Sequence, residues 1–242
     1  MNQIFRLQNL LNINTEITVQ SRQCAESNMT LLTVDNVLQD YNKLYDIMST
    51  SPAADWKNTA NSRNFIDYKE GRLRYPVIAS NQLLELAYES IKHYFNKETD
   101  LLFGSIEVNV FQQIAKRKND FNIVHTDQTT EKQSFTCLLF LNQPNQCSGG
   151  TAFFKYKPTT QFESNSNMLG ELLLEKPNLH HNGVDYWNND TEGKVWQMTD
   201  YAEMVSNRLI IFPSNYFHTA YHPVDSFFDF SRLTLVFWMG EV

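Results

Sequence analysis

Beyond residue 100 the apolar residues of this chain stop recurring at helical spacing and begin to alternate. In "SIEVNVFQ", Ile106, Val108 and Val110 fall on one face of an extended segment, and Glu107, Asn109 and Phe111 on the other. Short β-type runs follow: "FNIVHT", "FTCLLFLN", "GTAFFKYK", "RLIIFPS" and "SRLTLVFWM". Turn signals such as "QPNQCSGG" separate some of them. A series of short strands has to bury its apolar faces against one another, so the second half of the chain is expected to form a β-sandwich or small barrel.

Upstream the period is helical. In "TVDNVLQDYNKLYDIMST", Val34, Val37, Leu38, Tyr41, Leu44, Tyr45 and Met48 recur every three or four positions. This predicts an amphipathic helix with Thr33 or Asp35 near its start. "SNQLLELAYESIKHYF" predicts a second helix with Ser80 as N-cap and a stripe of Leu84, Ala87, Tyr88, Ile91 and Phe95. His93 lies off that stripe and reads as a solvent-facing residue. The fold class is therefore α+β. Residues 1–100 are expected to pack supporting helices on a core of residues 101–242, within a single domain. Residues 158–200 are polar and read as an insertion between core strands, with Tyr186, Trp187 and Trp196 favouring an ordered lid.

A hydrophobic content of 42% indicates a folded chain, and a formal net charge of −7 argues against a nucleic-acid partner. The dense basic run Lys116, Arg117 and Lys118 reads as a solvated turn. Cys24, Cys137 and Cys147 make an odd number with no CxxC pair, which argues for a reducing compartment and no disulfide framework. Cys137 reads as a small buried apolar residue. No signal-peptide pattern opens the sequence and no apolar stretch reaches membrane-spanning length, so a soluble cytoplasmic protein with no membrane partner is expected.

Chemistry concentrates in "FNIVHTDQTT", where His125 and Asp127 end an apolar run. On a strand both side chains point to the same side. One further histidine would complete two imidazoles and a carboxylate, a set that binds ferrous iron on one side and leaves the other side open. "RLIIFPSNYFHTAYHPV" offers His218 and His222, and on spacing alone either serves. In "FSRLTLVFWM" one arginine enters an apolar strand: Arg232, Thr234, Val236 and Trp238 share one face, and Leu233, Leu235, Phe237 and Met239 the other. A buried arginine requires an anion. That anion is either a small carboxylate, which guanidinium grips bidentately with help from Thr234, or an internal Asp or Glu.

Together these segments resemble the Fe(II)/2-oxoglutarate-dependent oxygenases, in particular the prolyl-hydroxylase-like branch and a bacterial and phage group within it. The match spans roughly residues 101–240. "HTD" matches the family's H-x-D, and "FLNQPNQCSGGTAFF" resembles the strand, turn and strand that follow it. "IIFPSNYFH" is similar to the family's F-P-S-x-x-x-H, which selects His218 over His222, and "RLTLVFW" is similar to its final strand. The gap from Asp127 to His218 is longer than in prolyl hydroxylases because it contains the 158–200 segment.

The resemblance implies a double-stranded β-helix, or jelly roll, with Fe(II) held by His125, Asp127 and His218. It implies 2-oxoglutarate held by Arg232 and Thr234. Asn109 and Gln112 are either further polar contacts to 2-oxoglutarate or ordinary edge residues. The implied reaction takes dioxygen, converts 2-oxoglutarate to succinate and carbon dioxide, and hydroxylates a C–H bond. Asp127 favours hydroxylation over halogenation, which requires a small residue at that position. The expected substrate is a small molecule such as an amino acid or natural-product precursor, with Gln128, His181, Trp187 and Tyr221 at the mouth. Two other readings stand beside it: a hydroxylase of peptide or protein residues, and a non-catalytic cupin-like metal- or sugar-binding module.

Overall fold

The computed structural model describes residues 10–50, 57–58, 72–78, 81–97, 101–103, 107–113, 124–127, 133–164, 196–221 and 230–241. Two antiparallel sheets dominate it. The larger runs in the order β1 (Thr18–Gln23), β2 (Thr30–Asp35), β10 (Leu209–Pro213), β7 (Ser134–Phe140), β12 (Arg232–Glu241), β6 (Glu107–Gln113), β4 (Arg72–Ile78) and β3 (Lys57–Asn58), with β5 (Leu101–Phe103) also pairing with β12. The smaller runs β11 (His218–Tyr221), β8 (Gly150–Tyr156), β9 (Trp196–Glu203). A bridge from His125 to His218 extends it on the β11 side. From β7 onward the chain passes between the sheets, into the smaller at β8 and β9, back at β10, across at β11 and back at β12. This is consistent with a jelly roll.

Alternation along the larger sheet builds two cores. Cys137 and Leu139 of β7, Leu209 and Ile211 of β10, and Leu233, Leu235, Phe237 and Met239 of β12 pack on α1 (Tyr41–Thr50) and α2 (Asn81–Tyr94) through Leu44, Met48, Leu83, Ala87 and Ile91. The intervening residues Phe140, Ile210 and Phe212 face the smaller sheet and meet Phe153, Ala202 and Met204. A strand buried on both faces reads as a continuous apolar run, which is why "FTCLLFL" and "LIIF" show little alternation. Arg22 of β1 forms a two-pronged pair with Asp200 of β9, at 2.5 and 3.0 Å, and ties the two sheets together along that edge.

The sequence expectations hold for most core strands and for α2, whose stripe residues Ala87 and Ile91 are buried while His93 is exposed. They fail in the first half of the other predicted helix. Thr30–Asp35 is a strand, and the helix begins only at Tyr41. Val34, Val37, Leu38, Leu44 and Met48 are all buried, so helical spacing identified the core residues but not their local structure. Pairing with both β1 and β10 holds the segment extended, and Asn36 with φ 59° ends the strand. The second correction concerns the insertion. Residues 196–200 belong to β9 and pair with β8, and Trp196 is a buried strand residue against Tyr156 and Phe217. The three cysteines are free thiols and Cys137 is fully buried, as expected. Among the described residues no helix is long and apolar enough to cross a membrane.

The turn into β8 depends on two glycines. Gly149 has φ 71°, the left-handed region that glycine enters without strain. A Cβ on Gly150 would lie 2.0 Å from the Ala202 carbonyl oxygen of the neighbouring strand. Gly150→Ala should therefore lower the unfolding free energy by about 3 kcal/mol, the upper end for overpacking a tight site. Urea denaturation monitored by circular dichroism reads that loss as a lower midpoint, whereas an unchanged midpoint would show that the strands can separate at no cost.

Candidate metal centre

His125, Asp127 and His218 converge. One ligand atom from each lies within 4.8 Å of the others. Asp127 Oδ1 is 3.6 Å from His125 Nε2, and Asp127 Oδ2 is 3.3 Å from His218 Nε2. The backbone brings them together. His125 and His218 exchange two N–H···O hydrogen bonds of 2.9 Å each, and the Asp127 N–H donates to the Ser214 carbonyl at 2.9 Å. These are the three side chains that the sequence expectation names, and the structure brings them together.

Each ligand is held in turn. His218 is buried, with Phe212 edge-on at 4.9 Å between ring centroids. Its Nδ1 stands 2.9 Å from the Tyr216 carbonyl. A carbonyl only accepts, so Nδ1 carries a proton and Nε2 is the nitrogen turned toward Asp127. Thr136 Oγ1 donates to Asp127 Oδ2 at 2.9 Å and also lies 2.9 Å from Ser214 Oγ, leaving Oδ1 to face His125. Thr126, between the two ligands, pairs with Ser164 through their hydroxyls at 3.1 Å. Burial pushes the Asp127 carboxyl up, but His218 and His125 outweigh it and hold the group well below the usual carboxylate range. Two imidazoles and one ionised carboxylate are a donor set that suits ferrous iron.

The interior continues from these ligands toward Arg232. Arg232 is 4% exposed, donates from Nη2 to the Gly150 carbonyl at 3.2 Å and lies over the Phe140 ring at 5.6 Å. Thr234, 3% exposed, follows on the same face. Thr136 and Phe140 are four positions apart on β7, and Phe153, opposite His218, is three positions from Gly150 on β8. At strand rise these are roughly 13 and 10 Å, so the guanidinium and the ligand cluster occupy two ends of one interior strip.

The remaining sequence candidates divide. Register pairs Asn109 with Val236, Gln112 with Leu233 and Gln113 with Arg232. Tyr221 is three residues from His218 on β11, hence on the other face of the strand, and its ring meets Tyr201 edge-on at 5.8 Å. Gln128, His181, Trp187 and His222 lie outside the described residues. Sequence reasoning passed over Thr136, although a lone hydroxyl inside "FTCLLFL" is a signal for a buried polar contact. It also passed over Tyr216, which acts through its backbone carbonyl and leaves no trace in side-chain chemistry. Trp238, opposite Thr136, buries an indole Nε1 that meets no acceptor among the described residues.

A protein-family model described as a family of unknown function (DUF6445) matches residues 15–231. No curated protein matches the chain. Among solved structures, the chain is similar to a prolyl hydroxylase from Trichoplax adhaerens in complex with a hypoxia-inducible-factor peptide fragment. There the identity is 12% and the TM-score 0.43, over 98% of this chain and 90% of that one. It is similar to HygX from Streptomyces hygroscopicus with nickel, 2-oxoglutarate and hygromycin B bound, at 12% identity and a TM-score of 0.48, over 88% of this chain and 83% of that one. A prolyl 4-hydroxylase from Phytophthora capsici is similar at 12% identity and a TM-score of 0.44, over 91% of this chain and 61% of that one.

The site generates two expectations. Thr136→Val keeps shape and removes the hydrogen bond to Asp127, so calorimetric titration with Mn(II) or Fe(II) should show metal affinity falling about 10- to 100-fold. Unaltered affinity would mean that Asp127 needs no such support. The second concerns acid. The folded value of the Asp127 carboxyl lies below its unfolded value of about 3.9, so its ionised form stabilises the metal-free protein above that pH. This contribution is lost as pH falls through the lowered folded value. The stability difference between wild type and Asp127→Asn, from urea denaturation, should be positive at neutral pH and shrink below about pH 4. A difference that stays constant down to low pH would contradict it.

Proposed function

The chain belongs to the family of unknown function DUF6445, and we propose that it is an Fe(II)- and 2-oxoglutarate-dependent dioxygenase that hydroxylates a C–H bond of a small molecule. The observation that carries this reading is the His125–Asp127–His218 cluster, three ligand atoms within 4.8 Å of one another at one end of an interior strip whose other end holds buried Arg232. A metal cluster alone fits many proteins. A metal cluster sharing a strip with a buried guanidinium and a threonine hydroxyl fits a cosubstrate that chelates metal at one end and carries a carboxylate at the other.

In this reading His125 and His218, through Nε2, and Asp127, through a carboxylate oxygen, would hold Fe(II). Asp127 supplies the one negative charge of the donor set, and Thr136 keeps its carboxylate from rotating. Arg232 and Thr234 receive the distal carboxylate of 2-oxoglutarate, the guanidinium matching its charge and plane. Bound there, iron and 2-oxoglutarate supply the oxidising power: one atom of dioxygen enters the substrate's C–H bond, the other enters succinate, and carbon dioxide leaves. The protein orients these groups, and the apolar wall of Phe140, Phe153 and Phe212 keeps water from them.

The expected outcome is Fe(II)-dependent succinate formation from 2-oxoglutarate, stimulated by a member of a panel of free amino acids and short peptides. His125→Ala and Asp127→Ala should reduce it to the level without protein. A response to peptides alone would transfer the reading to a peptide hydroxylase. Normal turnover in both variants, or tight Zn(II) binding with no affinity for 2-oxoglutarate, would overturn the dioxygenase reading in favour of a non-catalytic metal-binding jelly roll.

A further inference from the structure

β8 ends at Tyr156, the chain turns through residues 157–160, and a short arm of residues 161–164 runs back. The arm starts against β8, where the Tyr156 N–H donates to the Gln161 carbonyl at 2.7 Å. It then pairs with the segment that leads into His218. The Phe217 N–H donates to the Phe162 carbonyl and the Ser164 N–H to the Asn215 carbonyl, each at 2.9 Å. Asn215 Nδ2 adds a bond of 2.5 Å to Glu163 Oε2. Residues 162–164 are thus bound to the turn of residues 214–216 along its length.

That turn carries the metal centre. The Ser214 carbonyl accepts the Asp127 N–H, the Ser214 hydroxyl meets Thr136 Oγ1, and the Tyr216 carbonyl accepts from His218 Nδ1. The arm also reaches the segment of the other two ligands, because Ser164 Oγ lies 3.1 Å from Thr126 Oγ1. Thr126 stands between His125 and Asp127, and on an extended segment its side chain points away from theirs. Among the described residues, 124–127 make one bridge, to His218, and one further backbone bond, to Ser214. A segment held at so few points keeps its side chains in place only if its other side is anchored as well. The bond between the Thr126 and Ser164 hydroxyls supplies that anchor. Ser164 is 9% exposed, so water competes poorly for it.

We propose that Ser164 is a positioning residue of the metal centre, acting through Thr126 to fix His125 and Asp127 relative to each other. The inference rests on the reading of the three-residue cluster as a metal site and is independent of the cosubstrate. Removing the Ser164 hydroxyl frees Thr126 to turn, and removing the Thr126 hydroxyl leaves Ser164 buried without its partner. Either change moves both ligands at once, because they flank the same residue. Ligands that must reorganise on binding hold a metal less tightly than ligands already in place. The arm after β8 is therefore part of the framework of the centre, and it braces all three ligands: His218 and Asp127 through the 214–216 turn, and His125 and Asp127 through Thr126.

The test is calorimetric titration of the full, metal-free chain with Mn(II), beside urea denaturation of the same samples. Ser164→Ala and Thr126→Val should each lower Mn(II) affinity about three- to tenfold, the scale of one neutral hydrogen bond. The double variant should be no weaker than the weaker single variant, because both remove the same contact. Thr126→Ser, which keeps the hydroxyl, should bind Mn(II) like wild type. If Ser164→Ala does not fold, Thr126→Val and Thr126→Ser carry the comparison. A purely structural bond would lower the urea midpoint and leave the affinity of the folded chain unchanged. That result, or losses that add in the double variant, overturns the role of Ser164 and leaves the metal site standing. A wild type that takes no Mn(II) removes the metal reading and the brace together.

Discussion

His125 and His218 lie 93 positions apart in sequence and are joined by a reciprocal pair of backbone hydrogen bonds, each 2.9 Å. This pairing sets the two imidazoles side by side, with ring centroids 4.5 Å apart, and continues the smaller sheet past β11. Asp127 joins them because its own N–H is bound to the Ser214 carbonyl, in the turn between β10 and β11. The ligands are thus placed by sheet register rather than by side-chain contact. Register is hard to slip, because a one-residue shift would turn each apolar residue of the strand to the wrong face.

β12 carries the other half of the site by the same principle. Its odd-numbered residues from Leu233 to Met239 are locked into the helix-covered core, so Arg232 and Thr234 are held facing inward. The start of the strand is fixed by Asn142, fully buried, whose Oδ1 accepts the Leu233 N–H at 2.7 Å and whose Nδ2 donates to the Ser231 carbonyl at 2.8 Å. Tyr41 of α1 and Ser206 both donate to the Asn142 carbonyl. One satisfied polar knot therefore connects the helix layer, the end of β7 and the arginine strand. Buried polar networks of this kind specify one arrangement because each unmet partner is costly.

Side-chain chemistry that repeats in a fixed local pattern was legible before any coordinates. His125 and Asp127 two apart, Arg232 and Thr234 two apart, and the alternation of β12 all follow from a strand's two-residue period. The N-terminal helix expectation failed where a local pattern has two readings. Val34, Val37, Leu38, Tyr41, Leu44 and Met48 satisfy helical spacing, yet the first part pairs as β2 between two strands, one of them from the far end of the chain. β9 was hidden for the opposite reason. "WQMTDYAE" mixes polar and apolar residues, because among the described residues it is an edge strand paired only with β8.

The sequence by itself determined the strand-rich class, the two-faced character of β12 and the pairing of His125 with Asp127 on one side of a strand, because these depend on residue type and short-range period. It left open whether His218 or His222 follows from spacing alone, and the resemblance of "IIFPSNYFH" to a family motif chose between them. Only the tertiary structure decided that Thr136 and the Tyr216 carbonyl orient the ligands and that Gln113, not Gln112, stands opposite Arg232. The physical reason is common to all of them. Each depends on which strands are neighbours and in what register, and backbone hydrogen bonds between distant segments set that register without marking the residues that make them.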